Sequence, residues 1–303
     1  MKGLDISAYQ NGLSMQSVKK AGNEFVILRA GYTGYGANRK KVKDSSFEKF
    51  YSAAKSAGLN VGVYWYSCAD SKEQGIAEAN FLYENCLKGK QFEMPIYIDV
   101  ENPQWQSKNK KGVTDAIFWF CETLEDKGFF VGVYASLSWF NNYIDTKRLD
   151  NYTKWVACWS SKKPSFKYTA FDMWQNSDNG RVDGMRVDTD IAYKDFPEEI
   201  KRRGKNGFSS AQGYTGKYPD TFPARGYYML GDGSKQNKST KYQTQIKYIQ
   251  DYMNWALGSG LVLDGHYGSL TANAVKQFQH IVGIKEDGQY GQITLAKAKA
   301  YTK

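Results

Sequence analysis

Eight short apolar segments recur through the first 195 residues, and this recurrence restricts the fold more than any other feature. Amphipathic stretches at residues 44–57, 72–87 and 114–128 separate the early segments and are typical of helices. The later segments follow one another closely. The pattern predicts an α/β fold, an irregular β/α barrel of eight strands with few helices late in the chain. The predicted strands are GLDIS (3–7), FVILRAG (25–31), NVGVYWYS (60–67), PIYIDVE (95–101), FFVGVYAS (129–136), KWVACWS (154–160), AFDMWQNS (170–177) and MRVDTDIA (185–192).

The character of the sequence changes after about residue 197. The segment 204–226 is rich in Gly, Ser and Pro and has no periodicity, which is typical of a linker. Beyond it, helical periodicity returns at 242–258, 270–283 and 294–301. We therefore predict three regions: a barrel at 1–198, a linker at 199–239 and a small α-helical domain at 240–303.

The predicted helical domain contains an internal repeat. DGHYGSLT (264–271) returns as DGQYGQIT (287–294), and both fit D-G-x-Y-G-x-x-T. The pattern predicts a tight turn at Asp-Gly, a ring that covers the core, and a Thr that caps the start of a helix. The repeat therefore indicates a structural unit more than a chemical one.

The excess positive charge lies almost entirely in the C-terminal third. Residues 1–199 contain 26 Lys and Arg against 25 Asp and Glu, whereas residues 200–303 contain 15 against 6. This imbalance favours a polyanionic partner, either nucleic acid or an anionic cell surface. The sequence lacks helix-turn-helix, zinc-finger and RNA-binding motifs, so we do not expect nucleic acid as the partner.

Cysteine and histidine usage argues against a metal centre. The chain has 4 Cys and 2 His, and its cysteines form no C-x-x-C pair. Reduced thiols are expected, as in a protein made in a reducing compartment. The N-terminal sequence has no apolar run of signal-peptide length, so we expect synthesis in the cytoplasm without a signal peptide. No segment reaches transmembrane length, which predicts no membrane insertion.

Acidic residues within the apolar segments are the first candidates for chemistry. Asp99 and Glu101 close the fourth strand, and residues two apart on a strand face the same side. The C-terminal ends of barrel strands carry active sites. Two carboxylates there can give a proton donor beside an ionised group, as glycoside hydrolysis requires. Asp5 in the first strand and Asp188 in the last become neighbours if the barrel closes.

Aromatic residues share the same strands and suit sugar binding. Rings of Tyr and Trp stack on sugar faces, although core packing is the competing reading for each ring. A neighbouring amide in the seventh strand joins the candidate set. The candidate substrate-binding residues are Tyr64, Tyr66, Tyr134, Trp159, Trp174 and Gln175.

Six motifs, in this order and spacing, resemble glycoside hydrolase family 25, the lysozyme-type muramidases found in phage endolysins and bacterial autolysins. They are DIS, PIYIDVE, GVYAS, WVACW, DMWQNS and GMRVDTD, and the resemblance covers about residues 1–196. It implies an irregular β/α barrel without a cofactor. It also implies cleavage of the β-1,4 bond between N-acetylmuramic acid and N-acetylglucosamine.

The resemblance also implies roles for the acids. Glu101 corresponds to the general acid/base, and Asp99 to the group that stabilises developing positive charge, as a nucleophile or by orienting the substrate acetamido group. Asp5 and Asp188 correspond to supporting acids. Asp190 stands where the family often has Asn. A further departure is Tyr64-Trp65-Tyr66, where the family often has Tyr-His-Phe, which leaves the sugar contacts there open.

The C-terminal segment DGHYGSLTANAVKQFQ (264–279) resembles helical peptidoglycan-binding domains. This resemblance implies wall targeting, and the positive charge suits the anionic wall of a Gram-positive cell. The predicted function is therefore that of a wall-lytic muramidase of the phage endolysin type. A non-catalytic wall binder and an N-acetylglucosaminidase or chitinase stay open as alternatives, as does the oligomeric state.

Overall fold

The computed structural model describes residues 1–34, 38–103, 109–166, 170–208, 214–234 and 240–301. Two compact units make up the chain: Met1–Lys201 with Lys205–Phe208, and Arg202–Gly204 with Ser209–Lys303. The segment 199–239, predicted as a linker, contributes to both units. Ile200 is buried in the first core and Tyr228 in the second. The composition of this segment indicates irregular backbone, yet its aromatic rings pack against the core of the second unit.

Eight strands of the first unit close into a barrel, as predicted. Neighbours pair in the order β1-β9-β8-β7-β6-β5-β4-β2, and β1 also pairs with β2. Pairing is parallel throughout except for β9, which is antiparallel to both its neighbours. The strands of this unit are β1 (Lys2–Ile6), β2 (Phe25–Thr33), β3 (Lys41–Lys43), β4 (Asn60–Tyr66), β5 (Ile96–Asp99), β6 (Val131–Ser136), β7 (Thr153–Ala157), β8 (Met173–Val182) and β9 (Met185–Ala192).

Helices surround the early part of this barrel. Three of them confirm the predicted amphipathic stretches, and Ser71 caps α3 by accepting a hydrogen bond from the Gln74 amide. No helix of the described ranges is both long and apolar enough to cross a bilayer. The helices are α1 (Met15–Lys20), α2 (Phe47–Ser56), α3 (Lys72–Leu82), α4 (Lys110–Glu125), α5 (Leu137–Asn142) and α6 (Phe196–Arg202).

Side-chain alternation gives the barrel two separate cores. On β2, Phe25 and Ile27 point into the barrel, whereas Val26 and Leu28 pack outward against the helices. The inner core fills only the lower part of the barrel. Polar side chains occupy the inward positions at the carboxyl ends of the strands, and this end carries the site described below.

The second unit is built around α7 (Thr240–Leu257), α8 (Ser269–Ile281) and α9 (Gln292–Ala300). A two-stranded ribbon of β10 (Tyr227–Tyr228) and β11 (Tyr290–Gly291) joins them. Tyr267 and Tyr290, the two rings of the sequence repeat, are fully buried in its core. Burial of these rings confirms the predicted role of the repeat tyrosines.

The repeat forms the same hydrogen-bond network twice. Gln250 Nε2 donates to Asp264 Oδ1 at 2.8 Å and to Thr271 Oγ1 at 3.3 Å, and Gly265 N donates to Gln250 Oε1 at 3.0 Å. The second copy uses Gln279, Asp287, Gly288 and Thr294 in the same way. A glutamine from the preceding helix thus fastens each Asp-Gly turn.

The predicted Thr cap is wrong in both copies. Helix α8 is capped by Gly268 and α9 by Gly291, so Thr271 and Thr294 lie in the first helical turn. Each hydroxyl instead accepts from the network glutamine. The sequence pattern could not show this because the glutamine lies well upstream of the Asp-Gly turn that it fastens.

Candidate active site

A pocket of about 610 Å³ opens at the carboxyl ends of the barrel strands. Its lining brings together all four acids predicted from the sequence, and two of the predicted tyrosines lie beside them. The lining residues are Asp5, Ile6, Ser7, Tyr9, Gln10, Arg29, Tyr32, Tyr64, Tyr66, Asp99, Glu101 and Asp188.

Strand register explains why these acids converge. Asp5 on β1 lies directly opposite Asp188 on β9 in the antiparallel pair. Asp99 is the last residue of β5, between Tyr66 of β4 and Tyr134 of β6. Glu101 follows two residues after Asp99, beyond the strand end, and is exposed to solvent at the pocket mouth. The pocket thus has the buried acids Asp5 and Asp99 on its floor, the half-buried Asp188 beside them and the exposed Glu101 at its edge.

Gln175 ties the floor of the site together. Its Nε2 donates to Asp5 Oδ2 at 2.7 Å, and its Oε1 accepts from Tyr134 Oη at 3.0 Å and from Trp159 Nε1 at 3.1 Å. Asp5, Gln175 and Tyr134 are all buried. One amide therefore fixes the orientation of an acid, a phenol and an indole.

A fifth acid, Asp190, lies beneath the pocket and is 2% exposed. Trp155 Nε1 donates to Asp190 Oδ1 at 2.8 Å. Asp190 Oδ2 has no hydrogen-bond partner among the described residues. The charge of the nearby Asp5 adds to burial in raising the pKa of Asp190. Because two buried carboxylates repel each other, their proximity favours the protonated form of one of them.

Burial raises the pKa of every acid in the cluster. For Asp99 burial is the main cause and the Glu101 charge adds to it. For Glu101 and Asp5 burial again leads, followed by the Asp188 charge. The pKa of Asp188 rises through burial and the nearby Asp178. The acids of the cluster therefore keep their protons to a higher pH than isolated carboxyl groups do.

Arg29 was not among the predicted site residues, although a charged residue within FVILRAG carries the same signal as Asp5. Its Nε donates to Asp44 Oδ2 at 2.7 Å. Its guanidinium lies 5.0 Å from the Tyr9 ring centroid and 5.4 Å from that of Tyr32. The positive charge lowers the pKa of Asp99, against the effect of burial. Arg29 therefore offsets part of the negative charge of the floor, at Asp99.

The two predicted tryptophans lie in different places. Trp159 is 60% exposed and donates to Gln175, so its ring stands at the site. Trp174 is buried in the outer core, and its Nε1 donates to the carbonyl oxygen of Cys158 at 2.8 Å. The structure does not bring Trp174 to the pocket. Adjacent residues on a strand face opposite sides, so Trp174 and Gln175 cannot share one site.

The departure at Tyr64-Trp65-Tyr66 divides in the same way. Trp65 is fully buried in the outer core against Phe81. Tyr64 and Tyr66 face the pocket. The sugar contacts left open by this departure are therefore confined to the two tyrosines.

A barrel with a cluster of carboxyl groups at the carboxyl ends of its strands has the groups that glycoside hydrolysis requires. Comparison with family models agrees. The model of glycosyl hydrolases family 25 matches residues 4–185, and the chain belongs to this family. A peptidoglycan binding domain model matches residues 242–297, which include all of α8 and most of α7 and α9.

Relatives and solved structures are similar to this chain along most of its length. The autolytic lysozyme of Clostridium acetobutylicum is 29% identical, over 99% of this chain and 79% of that protein. Lysozyme M1 of Streptomyces globisporus is 26% identical, over 63% of this chain and 66% of that protein. The CTP1L endolysin shares the fold at 24% identity with a TM-score of 0.57, over 67% of this chain and 70% of that chain. A family 25 glycosyl hydrolase of Bacillus anthracis shares the fold at 24% identity with a TM-score of 0.55, over 66% of this chain and 92% of that chain.

Proposed function

We propose that this peptidoglycan hydrolase cleaves the β-1,4 bond between N-acetylmuramic acid and N-acetylglucosamine, with Glu101 as general acid/base. The observation that carries the proposal is the placement of the acids. Glu101 is exposed at the mouth of a pocket whose floor holds Asp99, Asp5 and Asp188. Only an accessible acid can reach the glycosidic oxygen of a polymer, and partial desolvation by the surrounding protein, with the Asp188 charge, raises the pKa of Glu101 above its ordinary value.

Asp99 stabilises the positive charge that develops on the sugar ring. It lies at the end of β5 and lines the pocket, and its buried Oδ1 has no hydrogen-bond partner among the described residues. A nucleophilic attack and the orientation of the substrate acetamido group both use this position. In either route Glu101 first gives its proton to the leaving oxygen and then takes one from the incoming water.

Asp5 and Asp188 are proposed as supporting acids. They face each other across the β1–β9 pair, and the negative charge that the cluster retains keeps the local potential negative. A negative floor stabilises an oxocarbenium-like transition state more than the neutral ground state. Gln175 holds Asp5 in place for this purpose.

The aromatic rim is proposed to bind the sugar rings. Tyr9 is 85% exposed beside Arg29, and Trp159 is exposed beside Gln175. Tyr64 and Tyr66 line the wall between them and Asp99. Exposed rings bind sugar faces without a large cost in reorganisation. Tyr134, in contrast, is buried and supports Gln175.

The second unit is proposed to direct the enzyme to Gram-positive walls. Its two segments carry 13 basic against 6 acidic residues, and the walls of these cells are anionic. Binding through this charge weakens with salt, because ions screen exposed charges within about 8–10 Å at 0.1–0.15 M.

The proposal is tested by treating purified peptidoglycan with the full chain and measuring new reducing ends. Their steady release supports glycosidic cleavage. Solubilisation of the wall without new reducing ends contradicts it, and so does wall binding without any turnover, the behaviour of a non-catalytic binder.

A further inference from the structure

A second pocket, of about 440 Å³, lies at the opposite end of the barrel from the acids. It is formed by segments that precede β5 and β6, and the acid pocket lies where these strands end. The character of its lining is basic and aromatic. The lining residues are Tyr51, Tyr83, Leu87, Lys88, Gly89, Lys90, Gln91, Lys127, Phe129 and Gly207.

Hydrogen bonds join the walls of this pocket. Gln91 N donates to Tyr51 Oη, and Tyr51 Oη donates to the Gln91 carbonyl oxygen, both at 3.1 Å. Gln91 Nε2 then donates to the Gly207 carbonyl oxygen at 3.1 Å. Gly207 has a φ of +80°, and a Cβ there would lie 2.3 Å from the Lys90 carbonyl oxygen. Glycine is therefore needed at position 207, because any side chain there would clash with the Lys90 carbonyl on this side of the pocket.

Asn206 fixes the loop that carries Gly207. It is fully buried with a φ of +56°, a conformation that costs a non-glycine residue free energy. Its Oδ1 accepts from Phe130 N at 2.7 Å, and its Nδ2 donates to the carbonyl oxygens of Phe92 and Met94 at 3.1 and 3.0 Å. The loop is thus held to the strand ends before any ligand binds.

The charge of the pocket is positive. Lys88 and Lys90 pair with Glu84 and Glu48, but neither acid is part of the lining. Lys127 has no ion pair within the described ranges, and its ammonium lies 4.7 Å from the Tyr83 ring centroid. A concave site lined by three lysines, one of them without an ion pair in the described ranges, attracts anions.

We infer that this pocket binds a phosphodiester group of a polyol-phosphate polymer attached to the wall. The lining offers lysine ammonium groups, which bind phosphate as point charges, and it contains no arginine. The rings of Tyr51 and Tyr83 supply apolar surface for the carbon backbone of the polymer. The choice of a wall polymer rests on the proposed function; the anion site itself does not.

The test is the affinity of the full chain for an oligomer of glycerol phosphate, measured by calorimetry. The double variant Lys88→Gln/Lys127→Gln is expected to bind at least about tenfold more weakly. A matched control, Lys20→Gln/Lys162→Gln, removes the same charge from exposed positions outside the pocket. Its affinity is expected to change less than about twofold. Equal losses in the two double variants would overturn the inference.

Two further comparisons sharpen the test. Walls stripped of phosphodiester polymers with hydrofluoric acid are expected to bind wild type and double variant alike. If the double variant loses binding to polyglutamate by the same factor as to the phosphate oligomer, the phosphate assignment is overturned. Turnover of phosphate-free peptidoglycan fragments is expected to be equal in all variants. Its absence in all of them would contradict the proposed function and leave the binding result intact.

Discussion

Gln175 donates a hydrogen bond from its Nε2 to Oδ2 of Asp5 at 2.7 Å, across the interior of the barrel. The same amide accepts from Tyr134 and Trp159 through its oxygen. A neutral side chain thereby positions one member of an acidic cluster and one ring of the rim. This amide is the link between the acids and the aromatic surface.

Gln175→Glu tests this link. The substitution replaces the donor that faces Asp5 with a like charge, and a hydrogen bond to a charged group is worth about 1.5–3 kcal/mol. We expect kcat to fall about 10–100-fold at pH 7, with partial recovery as pH falls and the new carboxyl group protonates. Gln16→Glu, at an exposed position, is the control. A pH–rate profile parallel to wild type would contradict the role.

Glu101→Gln tests the proton donor. The amide has nearly the same shape but cannot donate a proton, so turnover is expected to fall by about 10²–10⁴. Binding to walls should persist, because the second unit is unchanged. Glu73→Gln, on the exposed side of α3, is the matched control. Near-normal turnover of the Glu101 variant would remove the residue from its assigned role.

Trp159→Ala and Trp174→Ala are expected to fail in different ways. Trp159 is exposed, so its loss should raise KM about 3–10-fold through lost ring contacts with little change in Tm. Trp174 is buried in the outer core, so its loss should lower the free energy of unfolding by about 3–5 kcal/mol. The KM of its folded fraction should match wild type. The opposite pattern would place Trp174 at the substrate.

Asp190→Asn tests whether that carboxyl is neutral in the native state. Burial and the Asp5 charge raise its pKa above the ordinary value of about 3.9. The native state therefore holds a proton that the unfolded state releases, and wild-type stability falls as pH rises above about 4. The amide cannot ionise and still accepts from Trp155 through oxygen. We expect the free energy of unfolding of the variant to depend less on pH than that of wild type. Its turnover is expected to stay within about threefold of wild type.

The measurement for Asp190 is the free energy of unfolding between pH 4 and pH 8. Wild type and the variant should be closest near pH 4 and should diverge toward pH 8 in favour of the variant. Asp126→Asn, at an exposed site, controls for the change in net charge. An unchanged slope in the Asp190 variant would show that the carboxyl is ionised in the folded protein.

Much of the barrel could be predicted because its strands are short apolar runs between turn signals. Strand β3 (Lys41–Lys43) was missed, since three residues with two lysines give no such run. Helix α1 (Met15–Lys20) was missed for its length, six residues. In the second unit the Asp-Gly repeat was visible, but its glutamine partners lie in helices far from the turns.

The site could be predicted in part for a similar reason. An acid inside an apolar strand is conspicuous, which led to Asp5 and Asp99. Arg29 is likewise a charged residue inside an apolar strand, but it was not predicted as a site residue. Its partner Asp44 lies in a loop, where acidic residues are common and carry no signal. The partnership of Gln175 with Asp5 joins the two ends of the barrel sequence and depends on closure of the sheet. Such contacts follow from the fold, and local patterns do not show them.

The measurement that tests the central claim most directly is mass spectrometry of purified Gram-positive peptidoglycan after digestion by the full chain. Borohydride reduction marks each new reducing end before analysis. The proposed reaction predicts reduced N-acetylmuramic acid at the new ends, and their loss in the Glu101→Gln variant. Reduced N-acetylglucosamine would contradict the assigned bond, and the absence of new ends would contradict the assignment of Asp99 and Glu101 to catalysis.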